Sequence, residues 1–290
     1  MKINVKKVNA FTESLEGGNP AGVVLDSPDL TDEQMKHVSK LLSVSETAFV
    51  FPSKKADYKM RFFSPDVEVD LCGHATIATF FTMALDGVFS QNINTIITQE
   101  TKSGVLPVDI YFSDETADRV MMTQATPRYK DICLDISILA DSLNISVDEI
   151  DDSLPKQIVS TGLFTLPLCV KSFDILKAIN PDFEKIKKLC NRFGVGSFHL
   201  FTFDTVESDS IYHARNFAPV YGVNEDPVTG TANGAVCSYL IKNKIVKDRN
   251  LICEQGDIMG RPGRVFVEID RDGVKVGGRA KVVEEIEISV

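Results

Sequence analysis

Apolar positions along this chain follow two rhythms. Short apolar or alternating runs, bounded by Gly, Pro and Asn, predict strands at "MKINVKKVNAF" and "AGVVLDS", with Gly17 to Pro20 as the turn between them. In "SPDLTDEQMKHVSKLL" the rhythm changes. Leu30, Met35, Val38, Leu41 and Leu42 recur near the helical period, Thr31 stands at an N-cap position, and Gln34 completes a capping pattern. "ETAFVFPS" and "YKMRFFSP" read as paired strands, and an apolar helix follows Cys72-Gly73-His74 to about Leu85. "TIITQETKSGVLPVDIYFS" reads as strand, turn, strand.

The second half runs through the same order. "ETADRVMMTQATPRYKD" is a strand broken at Pro127, "DISILADSLNISVDEI" a helix, and "QIVSTGLFTLPLCVKS" two strands about a Thr-Gly turn. "DFEKIKKLCNRFG" is a helix closed by Gly194. "SFHLFTFD" and "IYHARNFAP" are strands, "TGTANGAVCSYLIKN" a helix, and "RVFVEIDRDGVKVGG" a hairpin turning at Asp272-Gly273. Both apolar helices open on the form G-x-A-x-x-A, one at Gly73 and the other at Gly230. The pattern predicts an α+β protein of two similar lobes, each a mixed or antiparallel sheet around a central helix. The first lobe is expected at residues 1–116, with the strand 279–290 returning to it, and the second at 117–278. Facing lobes would leave a cleft, a common place for a ligand.

Composition narrows the function classes. A hydrophobic fraction of 43% over 290 residues supports a sizeable core. The formal charge of -10 argues against nucleic acid and against anionic membranes. No apolar run is long enough for a membrane span, and no secretory signal follows the N-terminal lysines, so the expected location is the cytoplasm. The cysteines, Cys72, Cys133, Cys169, Cys190, Cys237 and Cys253, form no CxxC and read as free thiols. Only His74 lies close to a cysteine, so no zinc site is expected.

Candidate chemistry gathers at the two helix starts. A glycine there lets backbone approach a ligand, and the unpaired first-turn N–H groups with the helix dipole form an anion cradle. Tight packing of small residues explains the same pattern equally well. Glu46 in "SVSETAFV" and Asp226 in "EDPVTG" are carboxylates for proton chemistry, or capping and turn residues. Cys72 is a reactive thiol, half of a metal site, or packing.

Taken together, "GGNPAGVVL", "SVSETAFV", "CGHATIAT", "RNFAP", "EDPVTGTANGAV" and "QGDIMGRPGRVFVEI" resemble the PhzF-type phenazine-biosynthesis family of the diaminopimelate epimerase-like superfamily. The resemblance covers nearly the whole chain. It implies the two-lobed diaminopimelate epimerase-like fold and a cofactor-independent isomerase, without a metal. The substrate implied is a small carboxylic acid of the dihydro-hydroxyanthranilate type, and the assembly implied is a homodimer. Residue by residue, it implies Glu46 as the acid/base, Asp226 and His74 as catalytic partners, and Asn19, Gly73, Gly230 and Thr231 as substrate-binding positions. Epimerases and racemases of the superfamily place one cysteine before each central helix. Cys72 holds the first such place, where many PhzF-type members have alanine or another small residue. Thr229 holds the second, and a threonine hydroxyl cannot deprotonate a carbon acid at neutral pH. Three readings follow: a single-carboxylate isomerase, a one-thiol amino-acid epimerase or racemase using Cys72, or a non-catalytic ligand-binding protein of the same fold.

Overall fold

The structure is a computed structural model that describes residues 2–27, 30–90, 93–271 and 273–290. Asp272, half of the anticipated hairpin turn, lies outside the described residues. The chain divides into two compact units, Met1–Thr123 with Gly277–Val290, and Gln124–Val276.

The first unit contains β1 (Lys2–Ala10), β2 (Asn19–Val24), α1 (Asp32–Leu42), β3 (Glu46–Phe51), β4 (Tyr58–Phe63), β5 (Glu68–Val69), α2 (Gly73–Leu85), β6 (Thr95–Thr101), β7 (Gly104–Ser113) and β8 (Thr116–Thr123). Strand β1 pairs antiparallel with β2, β2 runs parallel to β3, and β3 is antiparallel to β4. Strand β4 continues parallel to β6, and β6, β7 and β8 form an antiparallel meander. That meander carries the unit to Thr123, past the expected boundary at residue 116, because β8 finds its partner in β7.

The predicted capping box of α1 is present. The Thr31 side chain accepts from the Gln34 N–H, and the Gln34 side chain accepts from the Thr31 N–H. The turn before β2 differs from the reading. Asn19 and Pro20 already belong to β2, opposite Ala10 and Asn9, and the reversal lies upstream of them. It ends at Gly18, whose φ of 69° and 2.2 Å approach of a would-be Cβ to the Ala10 carbonyl leave room for glycine alone.

Helix α2 is wrapped by β1, β2, β3, β7, β8 and the last strand. Ala75 through Ala84 are all buried, so no stripe faces water. Three threonines fit this apolar setting because each hydroxyl bonds back into the helix. Thr76, Thr79 and Thr82 donate to the carbonyls of Cys72, Ala75 and Ala78 at 2.8, 2.8 and 2.7 Å.

The second unit repeats the plan with β9 (Arg128–Asp131), α3 (Ile136–Leu143), β10 (Gln157–Ser160), β11 (Phe164–Cys169), α4 (Phe173–Ala178), α5 (Phe183–Phe193), β12 (Ser197–Thr202), β13 (Tyr212–Ala218), β14 (Val223–Asp226), α6 (Gly230–Lys242), β15 (Asn250–Gln255) and β16 (Gly263–Ile269). Strand β17 (Val274–Gly278) spans the boundary, and β18 (Ala280–Ser289) returns to pair antiparallel along β1. Strands β11 and β12 are parallel, β12 and β13 antiparallel, and β13 and β15 parallel, matching β2/β3, β3/β4 and β4/β6. Helix α6 takes the place of α2 and is buried from Ala232 through Leu240. The α+β architecture of two similar lobes, each a mixed sheet around a central helix, read from the sequence is thus the architecture of the chain.

Two local readings change. Helix α3 stops at Asn144, which adopts a left-handed conformation, and a separate 3-10 turn follows at Val147–Glu149. Helix α4, capped by Ser172, was absent from the sequence reading because six residues are too few to display a period.

One titratable group sits wholly inside the second unit. His199 on β12 is fully buried, with Nδ1 3.1 Å from Asn216 Oδ1. Burial pushes its pKa down to about 4, while bonds to Asn216 and Asn233 work in the opposite direction. The unfolded chain therefore takes up this proton first. The stability it contributes is complete above the ordinary value of 6.5 and is lost as pH falls through about 4. Urea unfolding at pH 7 and pH 4 should show His199→Gln losing about 3 kcal/mol less than the native chain over that interval. Equal losses in both proteins would contradict the assignment.

Candidate active site

Strand β3 begins at Glu46, in parallel register with Ala21 on β2. Paired positions of neighbouring strands share a face, and so do alternate positions of one strand. Asn19 and Glu46 therefore project to the same side of the first unit's sheet. Asn19 is buried and Glu46 is half-buried. Helix α2 opens beside Glu46. Cys72 is its extended N-cap residue, without a capping bond from its side chain, and Gly73 and His74 form the start of the first turn. A Cβ placed on Gly73 would meet nothing within 4 Å, so the space before this turn is open.

The His74 ring stands between three side chains. Nε2 lies 3.4 Å from Glu46 Oε2 and 3.3 Å from Ser45 Oγ, and Nδ1 lies 3.4 Å from Cys72 Sγ. Donor atoms of Glu46, Cys72 and His74 all fall within 4.8 Å of one another. The thiol is buried, whereas the side chains of His74 and Glu46 keep 13% and 24% of their surface. The opening of α2 thus offers a carboxylate, an imidazole and a thiol in contact, in front of backbone N–H groups that have no partner within the helix.

The second unit builds a different constellation at the corresponding place. Strand β14 ends at Asp226, and Thr229 is the N-cap of α6. The Thr229 hydroxyl donates to Asp226 Oδ2 in a short hydrogen bond. Behind them lies Gln255, almost fully buried at the end of β15. Its Nε2 donates to the Asp226 carbonyl at 2.8 Å and to Thr229 Oγ1 at 3.1 Å. Its Oε1 accepts from the Thr229 N–H at 3.0 Å and from Asn233 Nδ2 at 2.8 Å. Asn233 is held in turn by the Tyr212 hydroxyl at 2.8 Å.

The direction of this chain is imposed by chemistry. An amide N–H can only donate, so Thr229 Oγ1 must accept from Gln255 and turn its own hydrogen toward Asp226. Gly256 makes the approach possible. Its φ is 95°, and a Cβ there would lie 2.7 Å from the Pro227 carbonyl and 2.3 Å from that of Arg261. The neighbouring Glu225 has a separate task. It forms a two-pronged ion pair with Arg215 at 2.8 and 2.9 Å, while Arg215 also caps the end of α4 through the carbonyls of Leu176 and Ile179.

Gly230 and Thr231 occupy the first turn of α6. The Thr231 carbonyl accepts from the Thr161 hydroxyl at 3.0 Å, and a Cβ on Gly162 would sit 3.3 Å from the Thr231 methyl. The turn between β10 and β11 therefore backs Thr231.

Glu46, His74, Cys72 and Gly73 come together within the first unit, with Asn19 on the same sheet face. Asp226, Gly230 and Thr231 surround the start of α6 within the second. Sequence reasoning passed over Ser45, Asn233 and the roles of Thr229 and Gln255. Gln255 stood inside the quoted "QGDIMGRPGRVFVEI", but only the fold shows that its amide reaches back to Asp226.

Residues 8–286 match the family model of the phenazine biosynthesis-like proteins, PhzC-PhzF. The chain belongs to that family. The uncharacterized isomerase YfhB of Bacillus subtilis is 37% identical to this phenazine biosynthesis-like protein over 279 residues, covering 96% of this chain and 93% of the relative. A crystal structure of a PhzF-family phenazine biosynthesis protein from Bacillus anthracis superposes with a TM-score of 0.91 at 34% identity, covering all of both chains. A hydroxyproline epimerase from Agrobacterium vitis shares the fold alone, with a TM-score of 0.63 at 12% identity, covering 99% of this chain and 91% of that one. Family and curated relatives agree on the isomerase class, and this phenazine biosynthesis-like protein is an enzyme of that class. No helix among the described residues is long and apolar enough to cross a membrane.

Gln255→Leu strands the Thr229 N–H without an acceptor and removes one of the two acceptors of the Asn233 amide, which keeps the Thr229 carbonyl. It should destabilise the protein by about 1–3 kcal/mol and remove the hydrogen-exchange protection of the Thr229 amide. Gln255→Glu keeps the acceptor but loses the donor, so it should retain that protection. Unchanged exchange at Thr229 in the Leu variant would refute the network.

Proposed function

We propose that this isomerase moves a proton within a small conjugated carboxylic acid of the dihydro-hydroxyanthranilate type, with Glu46 as the single acid/base. The observation that carries the reading is the contrast between the two helix starts. A carboxylate–imidazole contact stands at the start of α2, and at α6 the place of a second thiol is taken by Thr229, whose hydroxyl is engaged with Asp226. One carboxylate can take a proton from carbon and return it elsewhere when the carbanion is spread over a conjugated system. An isolated amino-acid α-carbon is far less acidic and calls for two opposed bases. Allylic or enamine–imine isomerisation therefore fits the residues better than racemisation.

In this reading the substrate carboxylate meets the first-turn N–H groups led by Gly73, where the helix dipole favours negative charge. His74 holds the Glu46 carboxylate and orients it. Asn19, on the same sheet face as Glu46, lines the substrate. Positioned general acid/base groups of this kind contribute about 10²–10⁴ in rate. A cytoplasmic homodimer acting without a cofactor belongs to the same proposal and rests on family membership.

A second reading has an observation of its own. Cys72 Sγ lies 3.4 Å from His74 Nδ1 at the start of α2, so an imidazole stands within reach of the thiol proton. In that case Cys72 and a carboxylate would act as two arms of an epimerase.

Incubation of the protein with small conjugated acids in deuterated water, read by mass spectrometry, separates the readings. Glu46→Gln should bind the responsive acid but incorporate deuterium at least about 100-fold more slowly. Exchange at the native rate would remove Glu46 from the mechanism. Cys72→Ala should exchange within a few-fold of the native protein, whereas a loss as deep as that of Glu46→Gln would favour the epimerase.

A further inference from the structure

We infer that Glu46, Cys72 and His74 bind a thiophilic divalent cation of the zinc class, and that its occupancy silences proton transfer at this site. The second half rests on the role proposed for Glu46, and the first half does not.

The donor set is the first argument. Sulfur, imidazole nitrogen and carboxylate oxygen are the ligand types zinc selects, and three protein ligands with a fourth position open to solvent is its usual reactive arrangement. Spacing is the second argument. A tetrahedral ion with bonds of about 2.0–2.3 Å holds neighbouring ligand atoms about 3.3–3.8 Å apart. Here His74 Nε2 lies 3.4 Å from Glu46 Oε2 and 3.9 Å from Cys72 Sγ, and all three donors fall within 4.8 Å. Small side-chain adjustments would close the tetrahedron without moving the backbone. The elements are fixed, since Cys72 and His74 open the buried helix α2 and Glu46 begins a strand paired on both sides. Access is the third argument. Glu46 and His74 retain exposed surface, and the space before Gly73 is open.

Binding would displace the Cys72 thiol proton to solvent, leaving a thiolate, a neutral imidazole and an ionised carboxylate around the cation. The Glu46 oxygen bound to the ion could no longer accept a proton from carbon. Cys72 decides the matter, because without sulfur the site reduces to one imidazole and one carboxylate.

The test uses reduced full-length protein carrying Cys133→Ala, which removes the exposed thiol. Cobalt(II) alone serves as the probe, followed by zinc. One equivalent of cobalt should produce a near-ultraviolet thiolate-to-metal charge-transfer band, which zinc abolishes. Adding Cys72→Ser should remove the band. His74→Gln and Glu46→Gln should each weaken zinc binding by at least about tenfold, a readout that stands even if the Cys72 variant does not fold. Absence of the band, its survival in folded Cys72→Ser, or unweakened binding in both other variants would overturn the site. Stoichiometric zinc should also halt solvent deuterium exchange, a chelator should restore it, and Cys72→Ala should raise the zinc needed for half-inhibition at least about tenfold. Cobalt binding with exchange undiminished would overturn the silencing. A metal-free protein that never exchanges would instead count against the isomerase mechanism and leave the cation site standing.

Discussion

Each half of this molecule depends on a helix that excludes water from every side. Helices α2 and α6 are buried around their whole circumference over Ala75–Ala84 and Ala232–Leu240, so a sheet has to curve around each. Such a helix has one region where polarity is tolerated, its end. The first-turn N–H groups cannot be satisfied inside the helix and cannot be sealed in apolar surroundings without cost. They must emerge where water or an anion can reach them. The fold thus generates a polar opening before any catalytic residue is chosen.

The same plan carries unlike chemistry in its two copies. At α2 the opening gathers Glu46, Cys72 and His74, joined by contacts between side chains that could exchange protons or ligands. At α6 the opening is governed by Gln255, which uses both ends of its amide and sets the orientation of Thr229 against Asp226. The first arrangement is held by contacts of 3.3–3.4 Å and the second by hydrogen bonds of 2.8–3.1 Å. A proton carrier has to change state during turnover, whereas an orienting group works best when its geometry is over-determined.

Much of this architecture was legible in the residues, and the reasons are local. The capping box at Thr31 and Gln34, the apolar run after Gly73 and its echo after Gly230 are short-range signals that survive into the structure. The closeness of Cys72 and His74 was visible because only Gly73 separates them. Contacts across strands were hidden. Nothing local says that Glu46 will lie against His74, since that depends on β3 ending up beside the start of α2. Gln255 and Asp226 are brought together only by the turn at Gly256, whose backbone conformation no neighbouring residue announces. Pro20 misled in the other direction. Its usual association with turns was overridden by antiparallel pairing opposite Asn9.

The threonines of α2 bear on the polarity of the core. Because Thr79 and Thr82 satisfy their hydroxyls within their own helix, they show the surrounding sheet chiefly methyl groups, whereas Thr76 also reaches Gln99 on β6 at 3.4 Å. To their neighbours Thr79 and Thr82 behave as small aliphatic side chains, whereas Thr76 keeps a polar contact with the buried Gln99. The core around α2 is thus apolar in effect although three of its side chains carry hydroxyls, and polarity is confined to the mouth of the helix.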